Sequence, residues 1–332
     1  MSLSFLRRPL PAPRLIHQRS ALCLRPLGWV AVVLLLAPSP GRPCACGCGI
    51  YAVGTSDALP SGTGGTAFLD FAYQDQDRNW TGDSAAPAAE NPDKDIRTTF
   101  LSAGFQEVLS PSWSCRLDVP YEYRHFETTG GATGSDLVSL NFSGFGDVRL
   151  QATYTGFDPG LTTGVSFGLK LPTGTFTQND AYGDIDRDTE LGSGSTDLLL
   201  GAFRRFGLDA AYDWNAYVQG LLDVPVLTQD GYRPGMEFDA AFGVYYSGWS
   251  LGRLHLTPTG LVKAAVRSSD GGPGASQPVA SGFERLILAP GLGLAAGQSK
   301  LYADVEVPVL QHFTGEQLAS SVLFRVEVSY AF

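Results

Sequence analysis

Three clustered cysteines near the amino terminus, in the run Cys44-Ala45-Cys46-Gly47-Cys48, are the residues best suited to hold a metal. Thiolates select soft ions such as Cu(I). Zinc is less natural, because zinc sites usually space their cysteines by two to four residues. A disulfide formed in the oxidising periplasm, a lipid anchor, and loss of Cys44 by cleavage at Ala45 are open alternatives. No cofactor is expected.

An acidic segment, formed by Asp184, Asp186, Asp188 and Glu190, alternates like the first positions of a calcium-binding loop. The glycine expected at the sixth position is Thr189, and the twelfth position has no glutamate. The segment therefore predicts either an external loop that binds divalent ions loosely or a solvated loop without a ligand.

Catalytic chemistry has little support in the sequence. Downstream of a predicted leader the histidines are His125, His255 and His312. A catalytic nucleophile needs an adjacent base, and these residues lie in neither a Gly-x-Ser-x-Gly nor a His-Glu-x-x-His motif. We predict that the protein is not an enzyme, and that His125 and His312 lie near one rim of the fold, where they could meet.

The overall charge excludes one class of partner. The net charge is −10, and Lys and Arg form no run after the leader, so the electrostatic basis for binding nucleic acid is missing. Charged residues make up only 17% of the chain, below the roughly 25% of soluble domains. This deficit is typical of a protein that contacts lipid as well as water.

The elements that position these residues are predicted to be β-strands, because apolar and polar residues alternate with period two. In 112–124, the odd-numbered residues from Trp113 to Tyr123 are mainly apolar and lie on one face. The even-numbered residues from Arg116 to Arg124 are mainly charged and lie on the other face. Further alternating segments are predicted as strands at 66–76, 96–108, 143–156, 160–172, 194–206, 210–224, 234–247, 252–267, 282–294, 299–311 and 322–332.

The fold class predicted from these segments is all-β, an antiparallel transmembrane β-barrel of about twelve strands in the outer membrane of a Gram-negative bacterium. Tight turns such as Ser110-Pro111 alternate with long polar loops, which is the asymmetry of outer-membrane barrels. A soluble barrel or lipocalin-like protein is the alternative. The long loops are predicted at 77–95, 127–142, 173–193, 225–233, 268–281 and 312–319.

Two features of the strand ends support a membrane position. The last strand runs to the carboxy-terminal Phe332, and it should close the barrel against the first strand and act as the signal for the barrel-assembly machinery. Amphipathic rings prefer the lipid–water boundary, although aromatic residues also favour strands in general. The rings predicted near strand ends are Trp113, Tyr121, Tyr123, Tyr154, Trp214, Tyr246 and Tyr330.

If the apolar face meets lipid, the other face lines the interior. Two interpretations are open: a structural network that keeps the interior hydrated, or a constriction that sets selectivity. Asp304 and Glu306 are expected to neighbour Arg325, and Arg116 with Asp118 to neighbour Asp147 with Arg149. The lumen-lining candidates are Arg116, Asp118, Glu122, Arg124, Asp147, Arg149, Lys170, Glu237, Asp239, Lys263, Arg267, Arg285, Asp304, Glu306, Arg325 and Glu327.

Four prolines, Pro120, Pro258, Pro290 and Pro308, lie inside predicted strands. Each lacks the amide hydrogen that a central strand donates, so each predicts a bend or a local break in the wall. A break could release an apolar solute sideways into lipid, whereas a bend would only curve the strand.

The chain is predicted to begin with a secretory signal, because several arginines precede the apolar run 29–37, which is too short to span a bilayer. The predicted organisation is a signal peptide at 1–45, a cysteine-bearing periplasmic segment at 46–65, and the barrel at 66–332.

Three glycine-rich motifs, Gly144–Val148 (GFGDV), Gly168–Gly174 (GLKLPTG) and Gly192–Asp197 (GSGSTD), carry a family resemblance. From about residue 98 to 332 the chain resembles the MetA-pathway phenol-degradation family of proposed outer-membrane transporters. The resemblance implies a barrel distantly similar to long-chain fatty-acid channels, which passes small hydrophobic or aromatic compounds. It implies no catalytic or binding residue, and the cysteine cluster is not part of its pattern.

The sequence therefore predicts a passive outer-membrane channel for small solutes, with apolar or aromatic solutes favoured through the resemblance. The alternative is a non-conducting barrel whose cysteine-bearing amino terminus binds a metal or a periplasmic partner. The expected partners are outer-membrane lipid, a small-molecule solute and the barrel-assembly machinery.

Overall fold

The computed structural model describes residue 59 and residues 64–130, 134–180 and 182–332. The predicted leader and the cysteines Cys44, Cys46 and Cys48 lie outside these residues, so the signal peptide, the metal site and its alternatives stay predictions. Within the described ranges, no helix is long and apolar enough to cross a membrane.

Nearly all regular structure in the described residues is antiparallel β-strand, as the alternation predicts. Two short 3-10 turns, Arg187–Thr189 and Pro278–Ala280, lie in connections. The strands are β1 (Gly65–Gly82), β2 (Ser84–Ala85), β3 (Asp93–Ser110), β4 (Trp113–Gly130), β5 (Asp136–Phe145), β6 (Val148–Tyr154), β7 (Thr163–Leu171), β8 (Ser195–Gly207), β9 (Trp214–Thr228), β10 (Glu237–Tyr246), β11 (Trp249–Leu251), β12 (Leu254–Arg267), β13 (Phe283–Ala296) and β14 (Ser299–Ala331).

Eleven of these strands form a closed ring in the order β1-β3-β4-β6-β7-β8-β9-β10-β12-β13-β14, while β2, β5 and β11 pair at its edges. Every neighbouring pair is antiparallel, and such a ring needs an even number of spans. β14 supplies the additional span, because residues 299–313 pair with β13 and residues 313–331 pair with β1. The chain therefore reverses within β14, where Gly315 has a φ of 71° that glycine adopts without strain. The predicted barrel is confirmed, with twelve spans.

The carboxy-terminal strand closes the ring against the first strand, as predicted. Thr66 lies opposite Ala331 in the ladder. Gly65 and Phe332 exchange two backbone hydrogen bonds of 3.0 and 2.9 Å, and the Phe332 ring stacks on Phe105 with centroids 5.9 Å apart. No strand edge remains open at this seam.

The outward face of the wall is apolar over most of its area. Monomeric soluble proteins rarely expose apolar patches of more than a few hundred Å², whereas lipid is the natural solvent for such a surface. The exposed outward side chains include Leu69, Phe71, Leu101, Phe105, Leu117, Phe167, Leu200, Val218, Phe242, Leu288, Leu292, Val305, Phe324 and Val328.

Aromatic rings gather at the end of the barrel that has the tight turns. The ring centroids of Trp113 and Tyr154 are 5.1 Å apart, and those of Trp214 and Tyr246 are 5.0 Å apart, with Trp249 beside Tyr246 at 5.6 Å. Such rings prefer the boundary between lipid and water. In outer-membrane barrels the short turns are periplasmic, so this belt marks the periplasmic interface.

One predicted strand is interrupted. Residues 143–156 were expected to be continuous, but the ladder breaks at Gly146, so β5 pairs with the second half of β4 and β6 pairs with the first half. Pro120 lies opposite the break, and its carbonyl accepts a hydrogen bond from Gly146 N at 3.0 Å. The prediction of a local break at an in-strand proline therefore holds for Pro120.

The other in-strand prolines produce smaller irregularities. Pro308 pairs with Ile287 beside a shift in register. Pro258 and Pro290 lie within the continuous ladder between β12 and β13, but the ladder between β13 and β14 is interrupted at Pro290. The predicted loops at 77–95 and 127–142 are shorter than expected, because β1, β4 and β5 continue into them. Many of the polar residues in these two ranges therefore belong to strands that extend beyond the apolar band of the wall.

The outward face generates a test of lipid exposure. Phe242 is exposed near the middle of β10, so replacing it with arginine should cost about 2–4 kcal/mol of unfolding free energy in lipid vesicles. Leu208→Arg, in an exposed periplasmic turn, should cost at most about 1 kcal/mol. Denaturant unfolding of both variants measures the difference, and equal costs would contradict a lipid-facing wall.

Candidate functional site

The inward face of the wall carries paired charges, and the first group joins β1 to β14. Arg325 Nη2 donates to Asp70 Oδ2 at 2.7 Å, and Nε lies 3.0 Å from both carboxylate oxygens. Glu327 is 3.4 Å from the same guanidinium, and all three residues are buried. A charge-assisted bidentate pair is among the stronger hydrogen-bonded contacts, so this group ties the last strand to the first from inside.

A second group joins β12 to β14. Lys263 Nζ donates to Glu306 Oε1 at 2.6 Å, and both residues are buried. The Tyr302 hydroxyl donates to Asp304 Oδ2 at 3.0 Å on the same strand. Asp304 and Glu306 were expected beside Arg325. Asp304 is close enough to Arg325 to interact electrostatically with it, whereas the hydrogen-bonded partner of Glu306 is Lys263.

A third group spans β6 to β9. Lys170 forms an ion pair with Asp197 and lies 3.4 Å from Asp223. Arg149 is 4.0 Å from the same Asp223 carboxylate. Two cations and two carboxylates from four strands thus share one region of the interior. Each charge has a partner of opposite sign there, because a buried charge without a partner is strongly destabilising.

Two arginines pack against aromatic rings, and Arg116 also forms an ion pair. Arg116 binds Asp118 on its own strand at 2.7 Å, and its guanidinium lies 4.2 Å from the centre of the Phe68 ring. The Arg285 guanidinium packs over Phe283 and Phe313 at 4.3 and 4.7 Å. Asp118 lies opposite Arg149 in the ladder, but the contacts expected between these residues and Asp147 do not form, because Asp147 binds a loop instead.

The remaining predicted charges, Glu237 and Asp239, also alternate toward the interior of β10. All of the lumen-lining candidates are buried or half-buried. That they line a path for a solute stays a prediction.

Three further interior carboxylates, Asp70, Asp197 and Asp223, were missed by the sequence analysis. Asp70 and Asp197 share their inward face with Phe68 and Leu199, so no charged face stands out in those strands. Each lies at an inward position of the alternation in a predicted strand, and this position in the sequence could have assigned the residue to the interior.

The connection between β7 and β8, described at 172–180 and 182–194, enters the ring and is called the inward loop. Its Ile185 is buried against Ile96, Phe126 and Leu318, which project inward from β3, β4 and β14. Leu140 and Phe142 of β5 pack against the same cluster. We call the space that these inward apolar side chains surround the outer chamber, because it lies at the long-loop end of the barrel.

A buried arginine beside this cluster also holds the inward loop. Arg124 of β4 donates to the carbonyl of Glu190 at 2.9 Å and to the carbonyl of Thr189. It also donates to Thr98 Oγ1 at 3.0 Å and pairs with Glu122 at 3.0 Å. One inward side chain thus joins two wall strands to the loop.

Asp147, at the break in the wall, anchors both ends of the inward loop. Its carboxylate accepts hydrogen bonds from Gly174 N at 3.0 Å, Ser193 N at 2.8 Å and Ser193 Oγ at 2.6 Å. A Cβ on Gly174 would lie 2.7 Å from Gly192 Cα and 3.0 Å from Gly146 Cα. The three glycine-rich motifs therefore converge at this anchor, where only glycine allows the backbones to approach.

The amino-terminal side of the chain also reaches the interior. Leu59 is buried against Phe203, Tyr217, Leu261 and Ala289, which belong to four strands of the wall. An apolar residue that precedes the barrel is thus packed inside it.

The acidic segment at 184–190 does not form a calcium loop in the structure. Among the described residues, the ligand atoms of one group alone converge as for a metal, and that group is Asp95, His125 and Glu127. Asp186 instead accepts a hydrogen bond from Ser276 Oγ at 2.5 Å.

The two rim histidines have different partners. His125 contacts Asn141 at 3.0 Å and Glu127 at 3.3 Å, whereas His312 contacts Asp83 at 2.7 Å. The expectation that they could meet is not supported by these contacts.

Comparisons with known proteins support the fold. No family model matches the sequence, and no curated protein matches it. The structure is similar to the COG4313 outer membrane channel from Pseudomonas putida F1, with a TM-score of 0.59 and 13% identity over 84% of this chain and 100% of that one. Looser likenesses are the beta domain of the Bordetella autotransporter BrkA (TM-score 0.48, 14% identity, 82% and 100% covered) and the Pseudomonas putida toluene transporter TodX (0.39, 10%, 88% and 96%).

These identities are low, so the likeness shows the fold alone. The chain has the fold of an outer-membrane β-barrel of Gram-negative bacteria, as predicted. Membership of the MetA-pathway family stays a prediction.

The buried pairs generate a stability test. Lys263→Met should leave the Glu306 carboxylate buried without its cation and cost about 3–5 kcal/mol. The double variant Lys263→Met/Glu306→Gln removes both charges and should recover most of that loss. Unfolding in vesicles measures both, and a single variant as stable as the wild type would show that the pair contributes no net stabilisation.

The inward loop generates a pH test at Glu190. Burial raises the pKa of this carboxyl from 4.5 to about 7, although the Gln178 amide and Arg187 oppose the shift. The packed loop therefore holds the proton more tightly than the released loop, so its packing weakens as pH rises from about 4.5 through 7.

Hydrogen exchange of the loop amides, corrected for the intrinsic effect of pH, should show more opening at pH 8 than at pH 5. The Glu190→Gln variant should lose this dependence. The same pH dependence in both proteins would exclude Glu190 as its cause.

Proposed function

We propose that this chain is a passive outer-membrane channel for small solutes, in which the inward loop controls access from the outside. The observation that carries the proposal is the placement of the loop. It fills the outer chamber with Ile185 and stands directly above the paired charges of the interior. A connection that served only to join two strands would have no reason to enter the ring.

The break in the wall provides the second support. β5 pairs with β4 and with no other strand in the described part of the chain. Its free edge begins at Gly146, level with the outward rings of Tyr121 and Phe145, which contact each other at 5.4 Å. When the inward loop moves, this side opening connects the outer chamber with the lipid boundary.

The lining favours small apolar or aromatic solutes at the entrance. Ile185 occupies an apolar site that a solute of similar size could take. Further inside, the buried ion pairs narrow the path and disfavour a long greasy solute. The fold likeness to an outer membrane channel agrees with transport as the general role.

A non-conducting barrel is the second candidate, and one observation favours it. Leu59, which precedes the barrel, is packed within the ring, so this residue occupies part of the interior. In this alternative the cysteines Cys44, Cys46 and Cys48 serve a metal or a periplasmic partner, and no solute crosses.

Assembly through the carboxy-terminal strand belongs to the same proposal. Phe332 is exposed on the outward face at the seam, where a terminal aromatic residue would be accessible to the barrel-assembly machinery before closure.

Release of the inward loop tests the channel. Asp147→Ala removes three hydrogen bonds that hold both ends of the loop, so the conductance of purified protein in planar bilayers should rise at least about twofold. Asp213→Asn removes a carboxylate from a periplasmic turn and should leave the conductance unchanged. Uptake of a small aromatic compound into liposomes should rise in parallel with conductance.

Absence of both current and uptake, in wild type and in Asp147→Ala alike, would reject the channel and leave the non-conducting barrel. An unchanged conductance in Asp147→Ala, with a conducting wild type, would reject control by the inward loop.

A further inference from the structure

A second cluster of chemically capable side chains lies outside the barrel, away from the interior charges and the inward loop. Asp95 of β3 and His125 and Glu127 of β4 alternate toward the outward face, near the long-loop rim. One ligand atom from each residue lies within 4.8 Å of the others. We propose that these three residues bind a divalent transition-metal ion, with zinc as the best match.

The donor types and spacing fit this ion. Zinc accepts imidazole nitrogen and carboxylate oxygen at roughly 2.0–2.2 Å, in sites of low coordination number. His125 Nε2 and Glu127 Oε1 are 3.3 Å apart, about the separation of two ligands on a tetrahedral ion with such bonds. The Asp95 ligand atom lies within 4.8 Å of the other two, so binding requires the three side chains to close around one centre.

The charge balance at the cluster calls for a cation. Asp95 and Glu127 face each other directly across the β3–β4 ladder, and like charges opposite each other destabilise a sheet. Asp75 adds a third carboxyl group beside Asp95. Arg97 pairs with Asp95 but offsets one negative charge, so a divalent ion would balance the rest.

An unpaired buried oxygen independently indicates a ligand. Asp95 is only 8% exposed, and its Oδ1 has no hydrogen-bond partner. Asp75 Oδ1 is buried and unpaired as well. Two neighbouring carboxylate oxygens without a donor are costly at a buried position, and a metal ion removes that cost.

His125 is already oriented as a metal ligand. Its Nδ1 lies 3.0 Å from Asn141 Oδ1, which also accepts a hydrogen bond from the Tyr123 hydroxyl at 3.1 Å. Donation from Nδ1 leaves the Nε2 lone pair directed toward Glu127. Metal-bound histidines usually have such a partner on the second ring nitrogen.

The location separates this site from permeation. Tyr123 lies below it on the outward face of β4 and is 49% exposed, as expected at a lipid–water boundary. The ion would therefore lie at headgroup level and join β3 to β4, with water or a lipid phosphate completing its coordination. The proposal does not depend on whether the barrel conducts.

Zinc titration of the purified full-length protein tests the site. Calorimetry should detect zinc binding that Asp95→Asn and His125→Gln each weaken at least about tenfold. Asn141→Ala should weaken binding by roughly 10–100-fold, as for other residues that orient a ligand. His312→Gln is the matched control, because His312 has a single carboxylate partner, and it should bind zinc like the wild type.

The cysteines are a competing source of zinc binding, so the titration is repeated with Cys44, Cys46 and Cys48 replaced by serine. Cobalt binding in that background should give a visible spectrum of nitrogen and oxygen ligation that disappears in His125→Gln. Shifted gel mobility of unboiled samples verifies that each variant is folded, and Glu127→Gln replaces any variant that is not. Binding that persists in folded His125→Gln, or is absent from the serine variant, would overturn the proposal.

Discussion

The structure depends on one constraint, which is that a sheet inside lipid must leave no backbone hydrogen-bonding group without a partner. Closure of the ring meets that constraint. Because all neighbouring strands are antiparallel, a closed ring must have an even number of spans. β14 reverses near Gly315 for this reason, and its second part ends against β1 at the seam between Gly65 and Phe332. The seam is reinforced from inside, because Arg325 and Asp70 form their bidentate pair across it.

Closure also determines where charge can go. Where the strands have lipid on one side, their charged residues must lie on the other, so the interior collects cations and carboxylates from nearly all strands. Buried charges are tolerable only when paired, and Lys263 with Glu306 and Lys170 with Asp197 meet that requirement. The interior charges therefore follow from lipid exposure of the opposite face, and their presence alone does not identify a selectivity filter.

Most of the wall could be predicted from the sequence, because alternation is a local signal. The parity of residues such as Arg116, Asp118 and Leu117 was sufficient to assign their faces. Contacts between strands distant in sequence could not be predicted in this way. The partner of Glu306 is Lys263, 43 positions earlier, and the cluster at Asp95 depends on the register between β3 and β4. The inward course of residues 172–194 was also missed, because polar and glycine-rich composition is shared by loops that stand outside a barrel and loops that enter it.

The interruption of the wall and the inward loop have a common physical origin. Pro120 cannot donate to a strand beside it, so the ladder breaks at Gly146 and leaves Asp147 free of the regular pleat. That freedom lets the Asp147 carboxylate turn toward the loop and accept hydrogen bonds from Gly174 and Ser193. If β5 and β6 formed one continuous strand, Asp147 would be part of the regular ladder and could not serve as this anchor. The defect in the wall thus provides one anchor of the inward loop, and the hydrogen bonds from Arg124 provide another.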